Sequence, residues 1–410
     1  MADDLTILRY VSWRDICPWL LLFRVFRVAT SIRVLSLAFI AVLLTTVAWN
    51  FSRTCCLSSD SLDDSELAEI RRDFEAWPSN RNMLGFDRLA EVIRNPQLRI
   101  LDEMSPVTTS FETIVEPFIR LLGPTTRWDQ RCYWLLGGTL SIVLWSFFGL
   151  AIARISTVRL GRGEVIGLSD AIGFSFSKWV SCVASPFMPM MATLLLSLPL
   201  MLVGLLMRAD IGVAIAGILW LLVIVVGVIM TGLSIGLLFG WPLMWGTIAT
   251  ESSDAFDAVS RSFSYTFCRP LQYLFYACVA IALGVLGWIV VWFFTEAIIQ
   301  SACWAVAIGT GQERWDQIGN AMKAVATDVP TSRAIGVWML GFFNAAVRTV
   351  VTGFNFGFFW TAAAAIYLLL RMDTDQTELD DIYFADEDSS VSPLPQFETD
   401  AAGGPSATTS

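Results

Sequence analysis

The stretch "IGVAIAGILWLLVIVVGVIMTGLSIGLLFGWPLMWGTIAT", Ile211 to Thr250, runs for forty residues without one charged side chain. A bilayer core about 30 Å thick is crossed by about 20 apolar helical residues, so this run is twice the length needed. Gly240-Trp241-Pro242 is the natural place to break it, because a glycine, an interfacial ring and a proline meet there. Five other uncharged runs reach spanning length: Val34 to Phe51, Cys132 to Ala153, Trp179 to Met207, Leu271 to Thr295 and Thr349 to Leu370. The whole chain of 410 residues is 55% hydrophobic with a mean hydropathy of +0.61, too apolar for an ordinary soluble protein. The expected fold class is all-α: a polytopic transmembrane helix bundle of about six spanning helices, with interfacial amphipathic elbow helices between them.

The elbows come from two similar half-polar stretches. "SDAIGFSFSKWVSCVASP", Ser169 to Pro186, and "SDAFDAVSRSFSYTFCRP", Ser253 to Pro270, share their opening and reach a proline at the same distance. In the second, Ala255, Phe256, Val259, Phe263 and Phe267 trace one helical face, and Asp254, Asp257, Arg261 and Ser264 largely trace the other. Ser252 or Ser253 is the expected N-cap, with Asp254 and Asp257 in the first turns where carboxylates favour the helix dipole. In the first, Ser169 is the expected cap, Asp170 follows it, and Ile172, Phe176 and Trp179 share a side. Both read as helices lying in the inner membrane interface, with Pro186 and Pro270 marking where the chain turns into the bilayer. The N-terminal "RDICPWLLLFRVFRVATS" reads as a third, degenerate elbow, so the core becomes repeated units of surface helix plus transmembrane hairpin.

This divides the chain into a basic N-terminal segment (1–33), a first spanning helix (34–51), an outer helical loop (52–131), a transmembrane core with two elbow-plus-hairpin units (132–371) and an acidic tail (372–410). Within the loop, "DSELAEIRRDFEAWP" has helical apolar spacing, and "SFETIVEPFIRLLGP" predicts a helix bent at Pro117 that lies on the outer membrane surface or packs on the bundle. The last apolar region, Ala334 to Leu370, is too long for one span. Arg348 at the bilayer centre would cost about 3 kcal/mol, so it is expected at the outer boundary, with "IGVWMLGFFNAAV" as a surface or re-entrant helix. The tail after Arg371 carries ten acidic residues and no basic one, equal to the net charge of −10, and is expected to be disordered at least after Glu387.

Basic residues set the expected orientation. Arg24, Arg27, Arg33, Arg154, Arg159, Arg162, Lys178, Arg261, Arg269 and Arg371 flank one side of the spans, against Arg208, Arg314, Lys323, Arg333 and Arg348 on the other. That asymmetry places both termini in the cytoplasm.

Catalytic chemistry is poorly supplied. The chain has no histidine, which removes Ser-His and Cys-His nucleophile pairs and His-based zinc sites. "GLSIG", Gly232 to Gly236, matches a Gly-x-Ser-x-Gly pattern inside a spanning run with no base nearby. It reads better as part of a helix-packing ridge, Gly232, Gly236 and Gly240, with Gly353 and Gly357 playing the same part in the last span. Of the eight cysteines, Cys55, Cys56, Cys132 and Cys303 fall outside, where a bridge from Cys55 or Cys56 to Cys132 would staple the outer loop to the mouth of the second span. No cofactor or metal site is read from the residues, and no nucleic-acid partner. The partners expected are the lipid bilayer and other membrane proteins or a second copy of this chain.

"GWPLMWGTIATESSDAFDAVSRSFSYTFCRPLQYLFY", "IYLLLRMDTDQTELDDIY" and "GLAIARISTVRLGRGE" resemble an uncharacterised family of bacterial multi-pass membrane proteins. The resemblance covers roughly Pro117 to Tyr383 and implies a bacterial inner membrane, without supplying an activity or catalytic residues. More loosely, the elbow-plus-hairpin pattern is similar to the membrane domain attached to some bacterial glycerophosphodiester phosphodiesterases, whose soluble catalytic barrel is missing here. The function expected is non-catalytic: organising or assisting other envelope components. The alternative is a transporter or channel for a neutral or lipidic solute, with an intramembrane enzyme third.

Overall fold

A computed structural model describes residues 17–57, 106–121, 127–323, 331–384, 398–399 and 405–406. The helix expected at "DSELAEIRRDFEAWP" and the tail expected to be disordered beyond Glu387 lie largely or wholly outside these residues. Apart from a two-residue antiparallel pairing of Glu398–Thr399 with Pro405–Ser406, the regular structure among the described residues is helical. A 3-10 turn, Pro18–Leu20, opens α1, Leu21–Ala29. There follow α2 (Ile32–Cys56), α3 (Pro106–Leu121), α4 (Trp128–Gly161), α5 (Leu168–Leu206), α6 (Asp210–Glu251), α7 (Ala255–Cys268), α8 (Pro270–Thr310), α9 (Gln312–Lys323) and α10 (Thr331–Asp375). Six of them, α2, α4, α5, α6, α8 and α10, are long and apolar enough to cross a membrane. The chain is a multi-pass membrane helix bundle.

The bundle is densest where α4, α6 and α10 meet. Residues 150–158 of α4, 240–250 of α6 and 356–371 of α10 are buried almost without interruption. Aromatic rings fill the centre: Trp245 stacks on Trp360 at 4.4 Å, and Trp145 stacks on Phe356 at 4.2 Å.

Three expected interruptions do not occur. α6 is one 42-residue helix that passes through Pro242. A proline inside a helix removes one backbone hydrogen bond, but Trp241, Leu243, Met244 and Trp245 are all buried around it, and a break there would open a void in a close-packed core. α5 likewise runs unbroken through Pro186, Pro189 and Pro199, so the first elbow is not a separate helix. The indole N–H of Trp179 donates to the Val143 carbonyl on α4, and that of Trp245 on α6 donates to the Cys182 carbonyl, both at 2.9 Å, which pins the elbow stretch in line with the span. α10 is a single helix of 45 residues that includes "IGVWMLGFFNAAV", so no separate surface or re-entrant helix forms there.

Arg348 does not need the helix to end. Its guanidinium meets the carboxylate of Glu296 on α8 in a two-point ion pair, Nε to Oε1 at 2.8 Å and one Nη to Oε2 at 3.1 Å. At a rise of about 1.5 Å per residue the pair lies about 40 Å along α10 from Asp375, beyond one core thickness.

α3 packs on the bundle against α4, α8 and α10, the second of the two placements expected for it. The sequence puts Gly138 on α4 under it, and a Cβ there would lie 3.1 Å from Pro117 and 3.2 Å from Phe118. Ser110 and Ile114 are buried, and the Phe111 ring sits 5.7 Å from Trp241. A helix of 16 residues is about 24 Å long, too short to span, so α3 is a partial-depth wedge.

Candidate functional site: an arginine-clamped end and an apolar cavity

The second elbow is a helix of its own, α7, and its boundaries have local causes. Ser252 closes α6 in the left-handed conformation (φ 56°), and its carbonyl accepts from Lys178 Nζ at 2.5 Å. Asp254, not Ser252 or Ser253, is the N-cap, accepting from the Asp257 backbone N–H at 2.8 Å. Ser252 is taken up by the left-handed turn and the Ser253 hydroxyl finds no partner, so the Asp254 carboxylate is the side chain that reaches the helix start. Pro270 occupies the first turn of α8, where its missing N–H is harmless.

The face α7 buries carries Ala258, Ser262 and Thr266 together with the Tyr265 ring, packed on α5 and α6. The large rings point away: Phe256 is 70% exposed and Phe267 50%. Phe263 is half-buried over Gly236, where a Cβ would come within 2.8 Å of its ring, and Gly240 faces Thr266 and Phe263. Gly236 and Gly240 thus seat the elbow rather than another spanning helix. Gly232 has nothing within 4 Å and takes no part in the expected ridge. A four-residue repeat drifts around a 3.6-residue helix, so the third glycine leaves the contact. Gly353 and Gly357 do seat a span: a Cβ at Gly353 would lie 3.3 Å from the Phe39 backbone, and one at Gly357 would lie 3.0 Å from Val34.

In the first elbow, Ser169 and Asp170 are exposed and bonded to each other at 3.1 Å, while Gly167 takes the N-cap position of α5 without a side-chain cap. Ser169 is therefore not the cap, because the helix starts two residues earlier than a cap at Ser169 would set. At the far end, the thiols of Cys56 and Cys132 are 3.2 Å apart, whereas Cys55 is exposed and outside that contact.

The greatest concentration of charge lies where α4, α6, α7 and α10 meet. Glu251 is the hub. Its carboxylate forms ion pairs with Arg261 on α7 at 2.8 Å and with Arg371 on α10 at 3.0 Å, and accepts a hydrogen bond from the Tyr367 hydroxyl at 2.7 Å. Two carboxylates near the end of α10 oppose the helix dipole there, and each is held by donors from the neighbouring elements. Asp373 accepts from Gln272 at 2.6 Å and Tyr276 at 2.7 Å, and Asp375 accepts from Tyr265. Burial first, then this hydrogen bond, raises the Tyr265 hydroxyl well above its ordinary range, so it stays a donor.

Beyond α10 the chain does not drift free. Residues 376–384 fold back onto the bundle end, which moves the start of any free tail past the expected boundary at 372. Ile382 is buried against Gly161, and the Tyr383 N–H donates to the Thr250 carbonyl at 3.0 Å. Arg162 donates to the Asp380 and Ile382 carbonyls at 2.9 and 2.8 Å, and Arg154 to those of Tyr383 and Ala249 at 2.6 and 2.8 Å. The Arg154 and Arg162 guanidinium groups also lie against the Phe384 ring, 4.7 and 4.5 Å from its centroid respectively. The segment "TELDDIY" is rich in acidic side chains, but most of these arginine contacts go to its backbone. That choice is invisible in a one-dimensional pattern. Nor did the sequence single out Glu296, whose signal was a lone acid in one apolar run opposite a lone base in another.

A second feature is an apolar cavity of about 310 Å³ between α3, α5 and α6. Its walls include Ile114 and Phe118, Pro186, Phe187 and Met190, and Leu237, Trp241 and Trp245. The expected turning point Pro186 is thus a wall residue inside a continuous helix.

The chain matches no protein-family model, no curated protein and no solved structure. Its class is set by its architecture alone: a helical membrane protein with six helices of spanning length among the described residues, one detached elbow helix and a clamped C-terminal segment.

Proposed function

We propose that this protein is non-catalytic and organises or assists the assembly of other envelope components. We place it, on its arginine distribution and family resemblance, in a bacterial inner membrane with both termini cytoplasmic. The observation that carries the reading is the use made of the charges at the arginine-rich end. The Glu251 carboxylate and the Arg154, Arg162 and Arg371 guanidiniums are engaged in fastening α6, α7, α10 and residues 376–384 to one another. Groups held this way stiffen a surface and are poorly placed for acid–base work. The surface so stiffened presents the unburied rings Phe256 and Phe267 on α7, which suits contact with lipid or with the hydrophobic flank of another membrane protein.

The test is chemical cross-linking in intact membranes followed by co-purification, comparing the parent chain with Phe256→Ser/Phe267→Ser. A reproducible partner set that the double variant loses, while its thermal unfolding is unchanged, supports the reading. Absence of any reproducible partner, together with unchanged membrane composition on deletion of the gene, refutes it. The second reading, handling of a lipidic solute, draws on the apolar cavity. Flux of such a solute in proteoliposomes, lost on Gly236→Leu without unfolding, favours it.

A further inference from the structure

We infer that the cavity between α3, α5 and α6 is a binding site for one acyl chain of a bilayer phospholipid. The inference needs neither partner assembly nor solute flux.

Its mouth is made of lipid-facing side chains: Ile119 is 64% exposed, Leu194 46% and Leu238 37%. Its floor is the buried set Ile114, Ile142, Trp241 and Trp245. Leu194 and Leu238 belong to helices that cross the membrane, so the mouth opens sideways toward hydrocarbon rather than toward water.

The lining decides the chemistry. The hydroxyls are already bonded within their own helices, Thr193 to the Pro189 carbonyl at 2.9 Å and Ser234 to the Met230 carbonyl at 2.8 Å. The Trp245 N–H is bonded to Cys182, and the lining donor left without a partner is the buried Trp241 N–H, a single group. A water molecule needs two to four polar partners to be held in a cavity, and these walls do not provide them. Left empty, the lining would forfeit dispersion contacts on one side. A hydrocarbon chain restores them and asks for no hydrogen bond.

Size selects among apolar occupants. About 310 Å³ lies at the small end of ligand pockets. A second transmembrane helix, about 10 Å across with its side chains, would have to displace α3 or α5. The walls are also held independently of any occupant. α3 is seated on Gly138 through Pro117 and Phe118, and the Trp245 indole ties α6 to α5. A site fixed in advance loses little ordering free energy when a flexible chain enters, which separates it from the fluid lipid around the bundle.

The experiment uses the full chain in phosphatidylethanolamine–phosphatidylcholine vesicles containing a phospholipid with a diazirine on one acyl chain. After irradiation, adducts are mapped by peptide mass spectrometry. Adducts at Phe187, Met190 and Leu237 should exceed those at Leu286 and Phe294, exposed positions on α8, by about tenfold. Leu237→Trp should lower the cavity adducts by a similar factor and leave the α8 adducts unchanged. Phe187→Ala, which enlarges the space, should raise them and serves if the tryptophan variant fails to fold. Adducts that merely follow exposure overturn the inference. So do cavity adducts indifferent to both substitutions in folded protein, or cross-links from Phe187 to a second polypeptide.

Discussion

The ion pair between Glu296 and Arg348 lends itself to a quantitative test. The Glu296 side chain is 2% exposed and that of Arg348 10%, with Ile299, Cys303 and Trp315 forming a small cluster that keeps water away. Glu296→Ala leaves the guanidinium buried without its counter-charge. Breaking a buried pair in this way costs about 3–5 kcal/mol, and the pair's place beyond one core thickness, away from the bilayer centre, favours the lower end of that range. The expected loss is therefore about 3 kcal/mol, or on the order of a hundredfold in the ratio of folded to unfolded protein. Arg348→Ala should lose a comparable amount. Glu296→Leu/Arg348→Met, which removes both charges and keeps the volume, should return to within about 1 kcal/mol of the parent chain or exceed it. Equilibrium unfolding by sodium dodecyl sulfate in mixed micelles, followed by far-ultraviolet circular dichroism, measures all three. The argument fails if either single variant loses less than about 0.5 kcal/mol, or if the double variant is as unstable as the two singles summed.

Four other outcomes follow from the same structure. Gly353→Leu should destabilise by about 1–3 kcal/mol, because the neighbour in the way is the α2 backbone, whereas Gly232→Leu should stay within about 0.5 kcal/mol; equal effects in the same unfolding assay would contradict the packing described. Asp254→Ala should cost about 1 kcal/mol through loss of the α7 cap and Asp254→Asn should recover most of it, as read by thermal unfolding. Mild oxidation should link Cys56 to Cys132, detected as a two-hydrogen mass loss in the joined peptides, and persist in Cys55→Ser but vanish in Cys132→Ser. Arg154→Ala/Arg162→Ala should release residues 376–384 and speed chymotryptic cleavage at Tyr383 by about tenfold or more, since each charge-assisted hydrogen bond contributes about 1.5–3 kcal/mol; an unchanged cleavage rate would mean that the arginines do not hold the segment.

The sequence by itself determined the number of spanning helices and the existence of the second elbow. Both are local properties. An uncharged run such as Val34 to Phe51 can satisfy its backbone in lipid only as a helix, and the capped stretch from Asp254 to Pro270 carries its own start and stop. Tertiary structure decided whether a local weakness became a break. Pro242 and Pro186 weaken a helix wherever they occur, but Trp241, Trp245 and Trp179 are anchored on neighbouring helices and hold theirs continuous. The same distinction separates Gly232, which meets nothing, from Gly353, which meets the backbone of α2. It also accounts for Arg348, whose partner Glu296 stands 52 residues away on another helix. The cavity is lined from four helices at once, α3, α4, α5 and α6. Backbone hydrogen bonding is settled within a few residues and can be read along the chain, whereas packing and charge pairing depend on which distant faces meet, and only the folded bundle specifies that.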